Sequence, residues 1–195
     1  MQRRLVIGWL MFAWVGHCAA VDVPAVSIEE ASRRLSAGGF VMMMRHELTV
    51  AGLGDPPGYR LDDCSTQRLL SDAGRARARA AGEAIRAAGI IIAEVRAGRW
   101  CRTQDTAQLA FGGFESWSAL DSFFDQRDRE TAQLRTLVEF ASSVRAPHNV
   151  MLVTHQVNIT SALGVWPAMG EVVAGQWRDG RLSARFRFTP AGEAR

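Results

Sequence analysis

The stretch Val41-Met42-Met43-Met44-Arg45-His46-Glu47 decides how the rest of this chain is read. Four consecutive apolar residues with no polar alternation mark a short strand buried on both faces. A cation, an imidazole and a carboxylate follow without a spacer. Strands buried on both faces belong to parallel sheets covered by helices, and such sheets place their ligand sites beyond the carboxyl ends of their strands. Arg45 and His46 stand where that rule puts chemistry.

Working outward, similar signals repeat. Ser27 to Ala37 reads as a helix, with Ser27 as its cap, Glu30 three residues on, and Gly38-Gly39 at its end. Val50 to Ser65 is a loop rich in Gly and Pro, long for a compact domain. A helix opens at Ser71 and ends at Gly89. Ile90 to Val95 (IIIAEV) reads as a buried strand, Thr103 to Phe111 as a helix, and Trp117 to Phe124 as irregular or a short strand. Arg129 to Val144 has apolar residues at helical spacing. Asn149 to Thr154 is a second buried strand, followed by a helix over about Asn158 to Leu163. Strands near Glu171–Trp177 and Leu182–Phe188 flank an Asp179-Gly180 turn. Helices alternating with short apolar strands predict an α/β three-layer sandwich with a largely parallel central sheet.

The amino-terminal twenty residues read differently. Arg3 and Arg4 precede an apolar run from Leu5 to Gly16, and small residues close it at Ala19-Ala20. This is the layout of a secretory signal peptide cleaved after Ala20, which leaves 21–195 as one domain. The run is short for a spanning helix, so no stable membrane insertion is expected after cleavage. His17 before Cys18 argues against a lipid anchor there. An exported, periplasmic location follows. Two cysteines then remain, Cys64 and Cys101, and an even pair in an exported chain suggests a disulfide.

Charge excludes several functions. The 23 basic residues are all Arg. Without lysine there is no P-loop, Schiff-base or pyridoxal chemistry. Removing Arg3 and Arg4 leaves 21 Arg against 20 acidic residues, so the basic balance nearly vanishes and nucleic acid is not an expected partner. Arg75, Arg77 and Arg79 at period two spread around a helix and read as a solvated surface. HELTV is not the His-Glu-x-x-His motif, because Val50 stands at the second histidine position, and no metal or other cofactor is expected.

The chemistry gathers at predicted strand ends. Arg45 and His46 end the first strand, Arg102 opens the helix after IIIAEV, and His155 ends the strand NVMLVT. His148 precedes that strand and reads as a solvated loop residue. The four segments RHELT, LSDAGRARA, CRTQDTA and VTHQVNI resemble, in order, the Arg-His-Gly-x-Thr signature, the Leu-Thr-x-x-Gly-x-x-Gln-Ala helix, the Arg-Ala-x-x-Thr-Ala segment and the second histidine segment of the histidine phosphatase superfamily. That family has the phosphoglycerate-mutase-like fold, and the matches span roughly Phe40 to Gly164.

The resemblance implies an exported phosphomonoester phosphatase acting on a small phosphorylated substrate. His46 would be the nucleophile, forming a phosphohistidine. Arg45 and Arg102 would grip phosphate oxygens, and His155 would stabilise charge on the same phosphoryl group. The family's general acid has no clean match. Asp121 is the first candidate, with Glu47, Asp55, Glu115 and Asp125 open. Glu47 departs from the family's glycine, and Ala97-Gly98 from its usual serine. A catalytically weak or inactive phosphate- or phosphosugar-binding protein of the same fold is the alternative reading.

Overall fold

The computed structural model describes residues 23–52 and 54–192. The predicted signal peptide, with Cys18, lies outside the described residues. Six strands, β1 (Phe40–Arg45), β2 (Glu94–Ala97), β3 (Glu115–Ser116), β4 (Val150–Thr154), β5 (Val172–Arg178) and β6 (Arg181–Phe188), form one sheet in the order β3-β2-β4-β1-β5-β6. The pairings from β3 through β1 are parallel, and the β5–β6 hairpin adds antiparallel to β1. The sheet is therefore mixed, with its parallel part at the centre.

Five helices cover it: α1 (Ile28–Leu35), α2 (Asp72–Ala87), α3 (Cys101–Phe111), α4 (Glu130–Ala141) and α5 (Gln156–Leu163). Alternation along β1 shows how the layers form. Met42 and Met44 pack with Leu35 of α1, Ile85 of α2 and Ala107 of α3. Val41 and Met43 pack on the other face with Leu137 of α4 and Ile159 of α5. All four strand residues are fully buried, which is why the run carries no polar alternation. The three-layer α/β sandwich is as expected.

One strand was misplaced by the sequence pattern. Ile90 to Ile92 are not in β2, which begins at Glu94 opposite Val150. Gly89 ends α2 in a left-handed turn, Ile90 bonds back to Ile85, and Ile91 is 78% exposed. The strand itself is only half-buried, since Arg96 lies over the Trp117 and Phe140 rings and pairs with Glu94. An apolar run beside a helix end competed with the true strand and won on hydropathy alone.

The arginine run also needs correction. Arg79 is exposed, but Arg75 pairs with Asp105 of α3 at 2.9 Å, and Arg77 is a partly buried partner of Glu47 at 3.2 Å. Two close backbone contacts seat α2. A Cβ on Gly74 would lie 1.9 Å from the Leu48 carbonyl oxygen, and one on Gly82 would lie 1.9 Å from that of Ala110. The glycine of LSDAG therefore lets α2 touch the segment that leaves His46. Among the described residues no helix is long and apolar enough to cross a membrane.

Candidate active site

The carboxyl ends of β1, β2 and β4 open onto one cleft of about 220 Å³. Arg45 and His46 reach it from β1, Trp100 and Arg102 from the β2–α3 junction, and His155 from β4. The loop after β1 contributes Asp55, Tyr59 and Arg68. The segments before α4 and after α5 contribute Phe124, Asp125 and Trp166. The four site residues expected from the strand ends are thus brought together.

His46 is fixed by backbone. Its N–H donates to the Thr154 carbonyl at 3.0 Å, tying it to β4. Its ring Nδ1 lies 2.9 Å from the Glu47 carbonyl oxygen. A carbonyl can only accept, so Nδ1 carries the proton and the Nε2 lone pair is left free. Burial, reinforced by the charge of Arg102 and then of Arg45 and Arg68, pushes the His46 pKa down to about 3. His155 is held well below its usual value by burial and by Arg102. Both imidazoles are neutral at ordinary pH, their rings edge to face at 5.4 Å.

Arg102 is clamped by Asp55. Its two terminal nitrogens donate to the two carboxylate oxygens at 2.7 and 3.0 Å, and both side chains are nearly inaccessible. Asp55 also accepts from Trp100 Nε1 at 3.0 Å and from the Arg68 N–H at 3.0 Å. Burial alone pushes the Asp55 carboxyl up, but its bonds to Arg102, Arg68 and Trp100 outweigh it and hold the carboxyl below its usual range. Nη1 also donates to the Arg68 carbonyl at 3.3 Å, so one Nη2–H and the Nε–H of Arg102 remain. Cys64 and Cys101 form the expected disulfide, which joins the loop after β1 to the first residue of α3, beside Arg102.

Four buried nitrogens of cleft residues have no partner within the protein: Nε of Arg45, Arg68 and Arg102, and Nε2 of His155. Buried polar groups are normally paired, so a cluster of this kind on one cleft calls for an acceptor-rich ligand. Three arginines and two neutral imidazoles lining one cleft make a cationic, donor-rich surface that suits a tetrahedral oxyanion.

The carboxylates considered as acids fall in different places. Asp121 does not line the cleft. It is fully buried, accepts from the Arg99 backbone N–H and Nε at 2.8 Å each, and also pairs with Arg129. It anchors the β2–α3 loop. Glu115 is an exposed edge residue near Arg96. Glu47 turns its side chain away from the cleft into the protein, against Arg77, and burial holds its carboxyl above the usual range despite that partner. A Cβ on Gly170 would sit 2.1 Å from Glu47 Oε1, so a side chain there would displace that carboxylate, and its φ of +77° favours glycine. Asp125 is an exposed residue of the cleft. His148 is exposed, as expected.

Sequence reasoning missed Arg68 and the aromatic residues of the cleft. Arg68 sits in an irregular segment between the disulfide and α2, where no periodicity marks it. Asp55 was weighed only as an acid, not as the partner of Arg102.

No protein-family model matches the chain. No curated protein matches it by sequence either. Solved structures do match. The protein histidine phosphatase SixA, complexed with tungstate, aligns with 77% of this chain and 97% of its own, at 14% identity and a TM-score of 0.51. The alpha-ribazole phosphatase of Shigella flexneri aligns with 80% of this chain and 99% of its own, at 12% identity and 0.54. A mutant phosphoserine phosphatase of Entamoeba histolytica, in complex with phosphoserine, aligns with 77% and 97%, at 11% identity and 0.55. Similarity that is low in sequence yet spans almost the whole of each of these proteins establishes architecture: the chain has the fold of the histidine phosphatase superfamily.

Proposed function

We propose that this protein is an exported phosphomonoester phosphatase, its domain spanning 21–195, acting through a phosphohistidine on His46. The observation that carries the reading is one cleft lined by Arg45, Arg68, Arg102 and His155 together with a neutral His46 whose Nε2 is free. The solved phosphatases of the same fold support it, one bound to tungstate and another to phosphoserine.

In this reading the phosphoryl group sits against Arg45, Arg68, Arg102 and His155. His46 Nε2 attacks phosphorus, an N–P bond forms, and the ester O–P bond breaks. The Nδ1–H bond to the Glu47 carbonyl stabilises the positive charge that develops on the ring. Water then attacks phosphorus and gives a proton back to the group that protonated the leaving oxygen, the N–P bond breaks, and inorganic phosphate leaves with His46 neutral again. Guanidinium groups supply the charge that metals supply elsewhere, so chelators are expected to leave turnover unchanged.

The leaving oxygen needs a proton. Asp121 is sealed against Arg99, and Asp55 is held ionised by Arg102. We assign the role to the rim, where Asp125 meets solvent, in place of Asp121. Export is supported by the disulfide, which is at home in an oxidising compartment.

The test is an acid-quenched reaction with a labelled aryl phosphate. Label should appear on the protein, and His46→Ala should lose both label and turnover. Full activity in that variant would refute the mechanism. An acid that stands exposed at the rim also favours the second reading, a phosphate-binding protein without turnover, which predicts phosphate binding and no labelled protein.

A further inference from the structure

We propose that the substrate is the phosphate ester of a planar aromatic alcohol, with its ring held at the cleft mouth by Trp166 and Phe124. The inference rests on the phosphatase reading and names the class of its substrate.

Among the described residues only Val50, Ile91, Phe124 and Trp166 are exposed large apolar side chains, and the last two line the cleft. They come from separate segments, before α4 and after α5. Trp166 is 71% exposed yet stands on a pinned backbone. The carbonyl before it, of Val165, accepts from Thr160 Oγ1 at 3.0 Å, and the carbonyl after it, of Pro167, accepts from Arg45 at 2.9 Å. The backbone that carries this exposed ring is thus tied to the same arginine that lines the anion site. Exposed aromatics beside a charged pocket are what ligand recognition uses.

The wall continues inward as aromatic. Tyr59 packs on Trp100 at 5.6 Å, and Trp100 packs on His155 at 5.3 Å. A sugar would need hydrogen-bonding side chains along this path. Gln156, one of the polar residues there, already gives its amide to Thr160. The cleft is small: about 220 Å³ against roughly 300–1,000 Å³ for sites of drug-sized ligands. It suits a phosphate carrying a single ring system.

The proton supply points the same way by an independent route. Among the described residues the cleft's carboxylates are the clamped Asp55 and the solvent-exposed Asp125, with no enclosed acid beside the leaving oxygen, so a leaving group that needs little protonation is favoured. A phenol, ionising near pH ~10 like tyrosine, leaves far more readily than an alkanol.

Direct calorimetric titration of the mature protein tests this with phenylphosphonate, cyclohexylphosphonate and inorganic phosphate. The two phosphonates match in size and cannot be hydrolysed. Phenylphosphonate should bind about fivefold tighter than cyclohexylphosphonate. Trp166→Ala, at a solvent-exposed position, should erase that preference and leave inorganic phosphate binding unchanged, and Phe124→Ala should reduce it. Equal binding of the two phosphonates, tighter binding of the saturated one, or a preference that survives in Trp166→Ala overturns the inference alone if inorganic phosphate binds. Failure of inorganic phosphate to bind removes the phosphatase reading, and the inference falls with it.

Discussion

Acidification from pH 8 to pH 5 charges His46 in the unfolded chain and leaves it neutral in the fold. Its pKa is 6.5 when unperturbed and about 3 in the structure, where burial and Arg102 oppose protonation. A base with a depressed folded pKa contributes its stability above the unfolded value. That contribution is lost as pH falls from 6.5 toward 3, because the unfolded state binds the proton first. At pH 5, one and a half units below the unfolded pKa, the loss is about 2 kcal/mol. This figure hardly depends on the folded pKa, provided it lies clearly below 5.

The variant that isolates the term is His46→Asn. Asparagine does not titrate, and its amide N–H can keep the bond to the Glu47 carbonyl. Urea unfolding followed by circular dichroism at pH 8 and pH 5 gives the comparison. The parent should lose about 2 kcal/mol more than the variant over this interval. His155 and the carboxylates are present in both proteins, so their contributions largely cancel. Parallel losses, agreeing within about 0.5 kcal/mol, would show that His46 is not held neutral and would remove the basis for its nucleophilicity.

Other perturbations have defined outcomes. Replacing both Cys64 and Cys101 by Ser opens a link across 37 residues, and chain entropy predicts a loss of about 4 kcal/mol, read from urea midpoints; an unchanged midpoint would contradict it. Asp55→Asn leaves the buried Arg102 cation without its counter-charge and should cost about 3 kcal/mol in the same assay, whereas a cost below about 1 kcal/mol would mean the clamp is not formed. Gly74→Ala drives a methyl into the Leu48 carbonyl and should destabilise by about 1–3 kcal/mol, with an exposed alanine substitution on α2 as the control. Asp125→Asn should slow alkyl phosphate turnover about tenfold and barely affect phenyl phosphate; an equal and large loss on both would instead mark Asp125 as an essential group.

What local sequence determined is tied to burial and to covalent neighbours. The run Val41 to Met44 reads as a strand covered on both faces, and in the fold its residues alternate between the two apolar layers. Arg45 and His46 then had to stand at a sheet edge, and His155 followed from the same logic on β4. The hairpin was legible because Asp179 and Gly180 both take positive φ in the turn. The cysteine pair was legible from its count.

Tertiary structure decided which charges face which. Arg102 meets Asp55 across 47 positions, and Arg99 takes Asp121 across 22, so no local pattern distinguishes a clamp from an acid. Glu47 follows His46 in sequence, yet its side chain leaves the cleft, because alternate residues of an extended chain point to opposite sides. Arg77 on α2 then waits for it, and Gly170 leaves it room. Arg68, Phe124 and Trp166 lie in irregular segments without periodicity, and only the folding together of three loops gives them a common cleft. Sequence determined where a site had to be, because strand burial is local physics. Its polarity, its proton supply and its mouth came from contacts between distant segments, which only the assembled fold creates.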